Sequence, residues 1–299
     1  VQGSMNKYKV ISFYKYVDVE NPESLAKEHL DWCLANGVKG KVYLAKEGIS
    51  GSVFGDDEVT GKYKSHLKSY KIFEDIWFKE TPTDQIAFNK MHVRIKSEIV
   101  NSGLTETSLE HTAPKLTPEQ LLKFYEDKKD FVIVDARNWY ESKIGKFKNA
   151  ITPQITHFRE WPKVVESLNE YKDKTIITYC TGGIRCEKAS AYLREQGFKD
   201  VYQIDGGILN YIQQFPDTYW EGGMFVFDDR RVFEPNTKEK LKYTSNCHFC
   251  GKPTSFHINC HNIDCDKIIV CCHDCKIENE YCCSNECRAS KNKRKEYHG

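Results

Sequence analysis

Hydrophobic and polar residues follow three different patterns along the chain, and the first pattern covers residues 8–100. Apolar runs and amphipathic stretches alternate there in the order strand, helix, strand, strand, helix, strand. Asn21 precedes the first helix as its cap, and Pro22 stands at the first helical position. This order of elements is typical of a split βαβ unit, so we expect a ferredoxin-like α+β domain over residues 5–100.

The second pattern begins after residues 101–116, a polar stretch without periodicity that we interpret as a linker. Thr117 and Gln120 form a predicted capping box, and a helix follows. Short apolar runs then alternate with helical stretches, the runs being residues 131–134, 175–179 and 201–204. Strands that alternate with helices predict a parallel sheet, so we expect an α/β domain over residues 117–227.

The third block, residues 228–299, has no such periodicity but is rich in cysteine. Four pairs of cysteines have a spacing with which two thiolates share one tetrahedral metal ion. They are Cys247 and Cys250, Cys272 and Cys275, Cys260 and Cys265, and Cys283 and Cys287. Eight thiolates suffice for two four-cysteine sites, so we predict a zinc module with two structural zinc ions. Which pairs share a site stays open, and Cys271 and Cys282 are spare.

The composition of the chain indicates its cellular location and the oxidation state of its cysteines. Lys and Arg number 44 and Asp and Glu 43, which excludes a globally basic coat for nucleic acid. No apolar run approaches the ~18 residues that a membrane-spanning helix needs. Residues 1–4 resemble a remnant of expression, and no signal peptide follows Met5. We therefore expect a cytoplasmic protein without a membrane segment, in which reduced cysteines bind metal; a disulfide framework is the alternative.

Local positive charge indicates where nucleic acid could bind. Residues 230–299 carry 13 Lys and Arg against 9 Asp and Glu, and zinc-bound thiolates would bring this module close to neutral. Any attraction of this module for RNA must then depend on where its cations lie. Lys90, His92, Arg94 and Lys96 alternate with apolar residues along a predicted strand and so form a basic stripe on one face. A second cluster forms a basic tail of Arg288, Lys291, Lys293, Arg294 and Lys295. Ordinary solvated surfaces are the alternative for both sets.

The candidate chemistry centres on Cys180, which ends a predicted strand just before a predicted helix. The loop between them consists of Thr181, Gly182, Gly183, Ile184 and Arg185. Backbone N–H groups in a glycine-bearing turn and the positive end of a helix lower the pKa of a cysteine and stabilise an anion. We predict that Cys180 is a nucleophile and that Arg185 adds a full positive charge. Cys186 is either a resolving thiol or a packing residue.

The segment from Cys180 to Arg185 resembles the Cys-x-x-Gly-x-Arg active loop of rhodanese domains. Asp135 and Arg137 look like the Asp-x-Arg element of that family, and residues 205–208 look like its Asp-Gly-Gly turn. The resemblance implies a rhodanese domain that holds a persulfide or nucleophile on Cys180, with Asp135 and Arg137 in support. Cys-based phosphatases place five residues between cysteine and arginine, whereas four intervene here, which favours sulfur over phosphate chemistry.

Nearly the whole chain resembles the bacterial tRNA uridine hydroxylase family, which joins these three parts in this order. The matching segments are residues 43–51, residues 98–100, the Cys180 loop and the terminal cysteine block; Ser50 stands where the family usually has Asn. The resemblance implies oxygen-dependent hydroxylation of the tRNA wobble uridine at carbon 5, with molecular oxygen as a substrate. No flavin, haem or iron-carboxylate motif is visible, and no signal indicates the oligomeric state.

Two other functions remain open at this point. One is a sulfurtransferase that carries a persulfide on Cys180, and the other is a non-catalytic zinc- and RNA-binding adaptor. If the chain is the hydroxylase, Cys180 is suited to add to uridine carbon 6 and so make carbon 5 an enolate carbon. Trp139 or Tyr140 would then be available to stack on the base, with plain packing as the alternative.

Overall fold

The N-terminal domain is a five-stranded sheet with two helices packed on one face. The structure is a computed structural model that describes residues 7–235 and 243–294. The elements of this domain are β1 (Tyr8–Tyr16), α1 (Pro22–Ala35), β2 (Lys39–Ala45), β3 (Gly48–Gly55), α2 (Asp57–Ser69), β4 (Phe78–Thr83) and β5 (Met91–Ile95), with a short 3-10 turn at Lys71–Phe73. The strand order is β4-β1-β3-β2-β5. The first four strands are antiparallel and confirm the ferredoxin-like arrangement, and β5 joins β2 in parallel.

Alternation along β1 divides the two faces of this sheet. Ile11 and Phe13 point into the core, where they meet residues of the helices such as Tyr63 and Leu67. Tyr14 and Tyr16 consequently point to the opposite face, because successive side chains of a strand alternate. Asn21 caps α1 as predicted, accepting a hydrogen bond from the Ser24 backbone at 2.9 Å.

The central domain is a parallel sheet covered on both faces. Its elements are β6 (Lys115–Leu116), α3 (Pro118–Glu126), β7 (Phe131–Asp135), α4 (Trp139–Ile144), β8 (Gly145–Phe147), α5 (Trp161–Ser167), β9 (Thr175–Tyr179), α6 (Ile184–Glu195), β10 (Asp200–Ile204), α7 (Gly207–Gln214) and β11 (Trp220–Gly222), with 3-10 turns at Leu109–His111, Phe158–Glu160 and Asn169–Tyr171. The sheet order β6-β10-β9-β7 is parallel throughout, which confirms the predicted class. The capping box at Thr117 and Gln120 is present at the start of α3.

Residues 101–116, predicted to be a linker, run along the surface of the central domain. Leu104 and Ala113 are buried in its hydrophobic core. Arg194 of α6 donates hydrogen bonds to the carbonyls of His111 and Thr112 at 3.0 and 2.9 Å. The segment then ends as strand β6, which pairs with β10. The segment expected to be a linker therefore packs on the central domain.

The C-terminal part consists of short elements around the cysteines. They are β12 (Met224–Phe225), β13 (Val232–Phe233), β14 (His257–Asn259), β15 (Ile268–Val270), α8 (His273–Glu278) and α9 (Asn285–Ala289). Val270 packs with Tyr140, Ile144 and Phe225 in one apolar cluster, so this part rests on α4 of the central domain. Among the described residues no helix is both long enough and apolar enough to cross a bilayer.

Candidate active site and metal clusters

The Cys180 loop joins β9 to α6, and its sulfur lies at the start of the helix. Cys180 is fully buried, and the backbone N–H of Gly183 donates to its Sγ at 3.2 Å. Gly183 has φ of +100°, and a Cβ built there would lie 2.9 Å from the hydroxyl oxygen of Tyr14. A larger residue would therefore both strain the turn and clash. Helix α6 begins immediately afterwards, at Ile184.

The surroundings of Cys180 favour its thiolate. Burial by itself raises the pKa of Cys180, but a hydrogen bond from the Cys186 thiol, the charge of Arg185 and backbone N–H groups of the loop together lower it to about 6. Cys186 is also fully buried, and burial together with the Cys180 charge raises its pKa well above the ordinary value. Cys186 thus stays protonated, and its thiol donates a hydrogen bond to the Cys180 thiolate.

Glu141, which was not among the predicted site residues, holds the Arg185 side chain in place. The two terminal nitrogens of Arg185 donate to the two carboxylate oxygens of Glu141, each at 2.7 Å, and both side chains are buried. Glu141 also accepts a hydrogen bond from the Asn138 backbone at 3.1 Å in the capping box of α4. The Asn-x-x-Glu spacing of that box was visible in the sequence, although its use against Arg185 was not.

Asp135 and Arg137 form a separate buried pair at the end of β7. Arg137 donates to Asp135 through Nε at 2.9 Å and Nη2 at 2.7 Å, and to the Gly145 carbonyl at 2.7 Å. Its guanidinium lies over the rings of Tyr179 and Trp220. These contacts hold the chain on both sides of α4, so the pair positions Glu141 rather than reaching the sulfur directly.

The Asp-Gly-Gly turn fits closely beneath the loop. Gly207 has φ of +65°, and a Cβ built on it would lie 2.4 Å from the carbonyl oxygen of Cys180. The backbone N–H groups of Ile208 and Leu209 donate to the carbonyls of Cys180 and Thr181, each at 3.0 Å. The turn therefore needs glycine, because only glycine lets the two backbones approach this closely.

The N-terminal domain covers the loop from the other side. The Tyr14 hydroxyl donates to Glu187 of α6 at 2.8 Å, and the Tyr16 hydroxyl donates to the Ile184 carbonyl at 3.3 Å. Lys79 approaches Gly182, where a built Cβ would lie 3.5 Å from its Cε, and Trp77 approaches Gly206. We call Tyr14, Tyr16, Trp77 and Lys79 the sheet cover. No local sequence signal marked these residues, because they lie between about 100 and 170 positions from Cys180.

The 43–51 segment contributes to the interface between the N-terminal and central domains. Glu47 lies 2.8 Å from Lys188 of α6, and Glu98 lies at the same distance from it. Glu47 also accepts a hydrogen bond from the Ile99 backbone at 2.8 Å. Ser50 donates to the Ile99 carbonyl at 3.1 Å, so its hydroxyl ties two parts of the same domain.

The structure brings all eight predicted cysteine ligands together in two clusters. The first consists of Cys247, Cys250, Cys272 and Cys275, and the second of Cys260, Cys265, Cys283 and Cys287; within each cluster the sulfurs lie within 4.8 Å of one another. The two Cys-x-x-Cys pairs thus share one site, and the two looser pairs share the other.

Each cluster has dimensions that suit a tetrahedral zinc ion. Neighbouring sulfurs lie 3.7 Å apart between Cys250 and Cys272, and 3.7 Å apart between Cys265 and Cys283. A tetrahedral ion with Zn–S bonds of about 2.3 Å would place its sulfurs about 3.8 Å apart. Cys271 and Cys282 belong to neither cluster.

Some candidate RNA-binding residues have exposed side chains, whereas others already form ion pairs and hydrogen bonds within the protein. Lys90, His92, Arg94 and Lys96 are exposed on or beside the edge strand β5. In the C-terminal set, Lys293 pairs with Glu280 and donates to the Arg288 carbonyl at 2.7 Å, while Arg294 pairs with Asp266 and donates to the Cys260 carbonyl. Those two cations stabilise the cysteine-rich module itself. Lys291 is exposed, and Lys295 lies outside the described residues.

Tyr140 is not available to stack on a base. It is buried against the Phe225 ring at a centroid distance of 5.4 Å, and its hydroxyl accepts a hydrogen bond from Asn138 at 2.7 Å. Trp139 packs against the same cluster beneath Lys143. Both aromatic side chains therefore pack within the protein, which was the alternative to stacking on a base.

Three family models match successive parts of the chain. Residues 8–99 match the UPF0176 acylphosphatase like domain, residues 117–214 the rhodanese-like domain, and residues 221–288 the rhodanese C-terminal model.

Relatives resemble the chain over almost its full length. It is 42% identical over 287 residues to a tRNA uridine(34) hydroxylase of Enterococcus faecalis, an alignment that covers 94% of this chain and 90% of that one. It is 41% identical to the protein of the same name from Bacillus licheniformis, covering 95% and 89%. It is 40% identical to that of Streptococcus agalactiae, covering 96% and 90%.

Replacing Arg185 by Met should raise the pKa of Cys180 from about 6 towards its ordinary value of 9.0, because the variant removes the charge beside the thiolate. Thiolate absorbance across pH measures this, taken as the difference between each protein and its Cys180→Ser counterpart. Arg159→Met, at an exposed arginine, is the matched control and should leave the midpoint unchanged. An unchanged midpoint in Arg185→Met would show that the loop amides and Cys186 suffice.

Elemental analysis should find two zinc equivalents per chain, one for each cysteine cluster. Cys250→Ser removes one ligand of the first cluster and should lower the content to about one equivalent. Cys271→Ser changes a neighbouring cysteine outside both clusters and should retain two. Metal-free reduced protein, or equal loss from both variants, would contradict the assignment.

Proposed function

Because this chain belongs to the tRNA uridine(34) hydroxylase family, we propose that it hydroxylates the wobble uridine of tRNA at carbon 5 and that molecular oxygen supplies the oxygen atom. The protein is an enzyme with a rhodanese domain. The observation that carries the proposal is the Cys180 thiolate, buried between the loop amides and a polar, aromatic sheet face. We infer a cytoplasmic location, because that is where tRNA would be met.

Cys180 acts as the nucleophile in this proposal. Its Sγ forms a bond to carbon 6 of the uracil, and the electron pair of the C5=C6 double bond moves to the C4 oxygen as an enolate. Carbon 5 then attacks an oxygen electrophile derived from O₂, and loss of the carbon 5 proton with release of the Cys180 thiolate restores the double bond. A pKa near 6 makes the thiolate available at neutral pH.

The overall reaction converts uridine and O₂ into 5-hydroxyuridine and water, and it consumes two electrons and two protons from a two-electron reductant. The roles of this chain's own residues are to hold the thiolate and to exclude water from it. Arg185 and Glu141 form a buried ion pair beside the sulfur, and the sheet cover closes over the loop. Thiolate addition and desolvation both benefit from such a closed site.

A sulfurtransferase that carries a persulfide on Cys180 is the second candidate. The loop amides favour it, because the Gly183 N–H directed at Sγ would equally stabilise the terminal sulfur of a persulfide anion. The two candidates differ in product: a hydroxylase adds oxygen to the nucleoside, whereas a sulfurtransferase releases thiocyanate from thiosulfate and cyanide.

The helix-free face of the N-terminal sheet supports tRNA as the substrate. Tyr14 lies opposite Ser50, Ser50 opposite Tyr43, and Tyr43 beside Arg94, so these four side chains point to the same face. Three strand spacings of about 4.8 Å separate β1 from β5, which places the basic stripe about 14 Å from Tyr14. An anticodon loop that delivers a base to the sheet cover would thus place neighbouring phosphates over Arg94 and Lys96.

Cys180→Ser should abolish 5-hydroxyuridine formation while leaving the fold intact, because it removes the thiolate with little change in volume. Mass spectrometry of nucleosides from tRNA incubated with each variant, O₂ and reductant gives the readout. Cys33→Ala, at a buried cysteine of α1 far from the loop, is the control and should remain active. Normal modification by Cys180→Ser would exclude the nucleophile.

The same variant tests the covalent step. tRNA containing 5-fluorouridine should remain attached to the active wild-type protein under denaturing conditions, because fluorine cannot leave as a proton does, and Cys180→Ser should form no such adduct. Failure of the active wild type to form the adduct would assign Cys180 to oxygen or sulfur transfer without a bond to the base.

Arg94→Gln combined with Lys96→Gln should weaken binding of an anticodon stem-loop, because two exposed cations of the stripe are lost. The slope of log affinity against log salt should fall by about 1.4, the value for two phosphate contacts on a single strand. Lys62→Gln with Lys68→Gln removes the same charge from α2, on the other face of the sheet, and should bind normally. Equal binding by both double variants would exclude β5 as an RNA contact.

A further inference from the structure

Lys79 of the sheet cover is a buried cation to which the described residues supply no counterion. It is 4% exposed, and within residues 7–235 and 243–294 its side chain makes no hydrogen bond and no ion pair. Its Nζ lies 4.9 Å from the ring centroid of Tyr14 and 4.6 Å from that of Trp77. Burying an unpaired ammonium is costly, and two aromatic faces compensate only part of that cost.

Lys188, at the same interface between the two domains, is a buried lysine that does have counterions. Lys188 is equally buried, and its Nζ lies 2.8 Å from Glu47 and 2.8 Å from Glu98. The charges of Asp205 and Glu187 both act on the pKa of Lys79, but neither forms an ion pair with it. Glu187 already accepts from Tyr14 and pairs with Lys115 at 2.8 Å. Among the described residues, the N–H donors of the Lys79 side chain therefore have no acceptor, which leaves them available to a bound group.

A cavity of about 290 Å³ adjoins Lys79, and its walls include Tyr14, Trp77, Lys115 and Glu187. Its volume is at the lower end of the range for ligand pockets, which suits one nucleotide. Trp77 is 45% exposed, so part of its ring is open to solvent. Lys79 lines this cavity, and its Cε also approaches Gly182 of the Cys180 loop, so Lys79 connects the cavity with the candidate active site.

We propose that this cavity receives the target uridine nucleotide and that Lys79 binds an anionic oxygen of it while Trp77 stacks on the base. The inference rests on the proposed function and deepens it. Two anionic oxygens could be bound: the C4 oxygen that becomes an enolate when Cys180 adds to carbon 6, or an adjacent phosphate. In either case Lys79 keeps its proton and donates a hydrogen bond, so no proton transfer is added to the reaction.

The enolate follows most directly from the chemistry of Cys180 addition. The electron pair displaced from the C5=C6 bond comes to rest on the C4 oxygen, and a preorganised cation stabilises such a charge. An aromatic ring beside the cation is a suitable platform for a base that has left the anticodon stack. The Cys180 sulfur and the Lys79 ammonium would then act on the same ring, one at carbon 6 and one at the C4 oxygen.

The pH dependence of turnover reports on both groups. Burial lowers the pKa of Lys79 to about 8, with Lys115 acting in the same direction and Cys180, Asp205 and Glu187 opposing it. The Cys180 thiolate is present above about pH 6. Turnover should therefore rise through pH 6, fall through pH 8, and be highest between them.

The test compares Lys79→Met, Lys79→Arg and the exposed control Lys62→Met on tRNA at several pH values. Lys79→Met should lower kcat about 10²-fold with little change in KM if the enolate is bound. A rise in KM at constant kcat, with weaker binding of uridine 5′-monophosphate but not of uridine, would assign the phosphate instead. Lys79→Arg should restore part of the activity and extend it above pH 8, because arginine stays charged.

A purely structural Lys79 would give a different outcome. Lys79→Met removes an unpaired buried charge and should not lower the thermal unfolding midpoint. Unchanged kcat, KM, pH profile and nucleotide binding in Lys79→Met would overturn the proposal. If the wild type forms no 5-hydroxyuridine, the proposed function fails, and calorimetric binding of uridine 5′-monophosphate by wild type and Lys79→Met still decides whether the cavity binds a nucleotide.

Discussion

Buried charges surround the Cys180 loop, and the need to pair them determines how the parts of this chain meet. Arg185 takes both oxygens of Glu141 from α4, and Lys188 takes Glu47 and Glu98 from the N-terminal side. An unpaired charge at such a position costs several kcal/mol, so each pair holds its two elements in place. The loop is thus built from three regions of the sequence, although its own residues are contiguous.

This pairing also controls the reactivity of the sulfur. Burial alone would keep Cys180 protonated, yet the Cys186 thiol, the Arg185 charge and the loop amides reverse that effect and lower its pKa to about 6. Glu141 directs Arg185 without touching the sulfur, and Asp135 with Arg137 holds the chain at both ends of α4. A thiolate that is stabilised without access to bulk water suits chemistry on a base that must be enclosed.

The N-terminal domain supplies the polar and aromatic side chains that cover the Cys180 loop of the rhodanese domain. Tyr14 and Tyr16 come from β1, and Trp77 and Lys79 come from the start of β4 and the residue before it, so two neighbouring strands form the sheet cover. The remaining helix-free face leads across the sheet to the exposed cations of β5. The same face of the sheet thus carries the residues that cover the Cys180 loop at one end and exposed cations of β5 at the other, and the cysteine-rich module packs against α4.

Short-range sequence patterns predict the local features of this protein. The capping box at Thr117, the strand that ends at Cys180, the glycines of the loop and the spacing of eight cysteines are short-range patterns, and backbone sterics or metal-ligand geometry enforce each of them. The packing of distant segments set which cysteine pairs share a cluster, that Arg185 meets Glu141 and that residues 101–116 pack as part of a domain. It also placed Lys79 beside Gly182, where the described residues supply no counterion. Those contacts join residues tens to a hundred positions apart. They depend on how whole elements pack, so no periodicity or spacing within one segment could predict them.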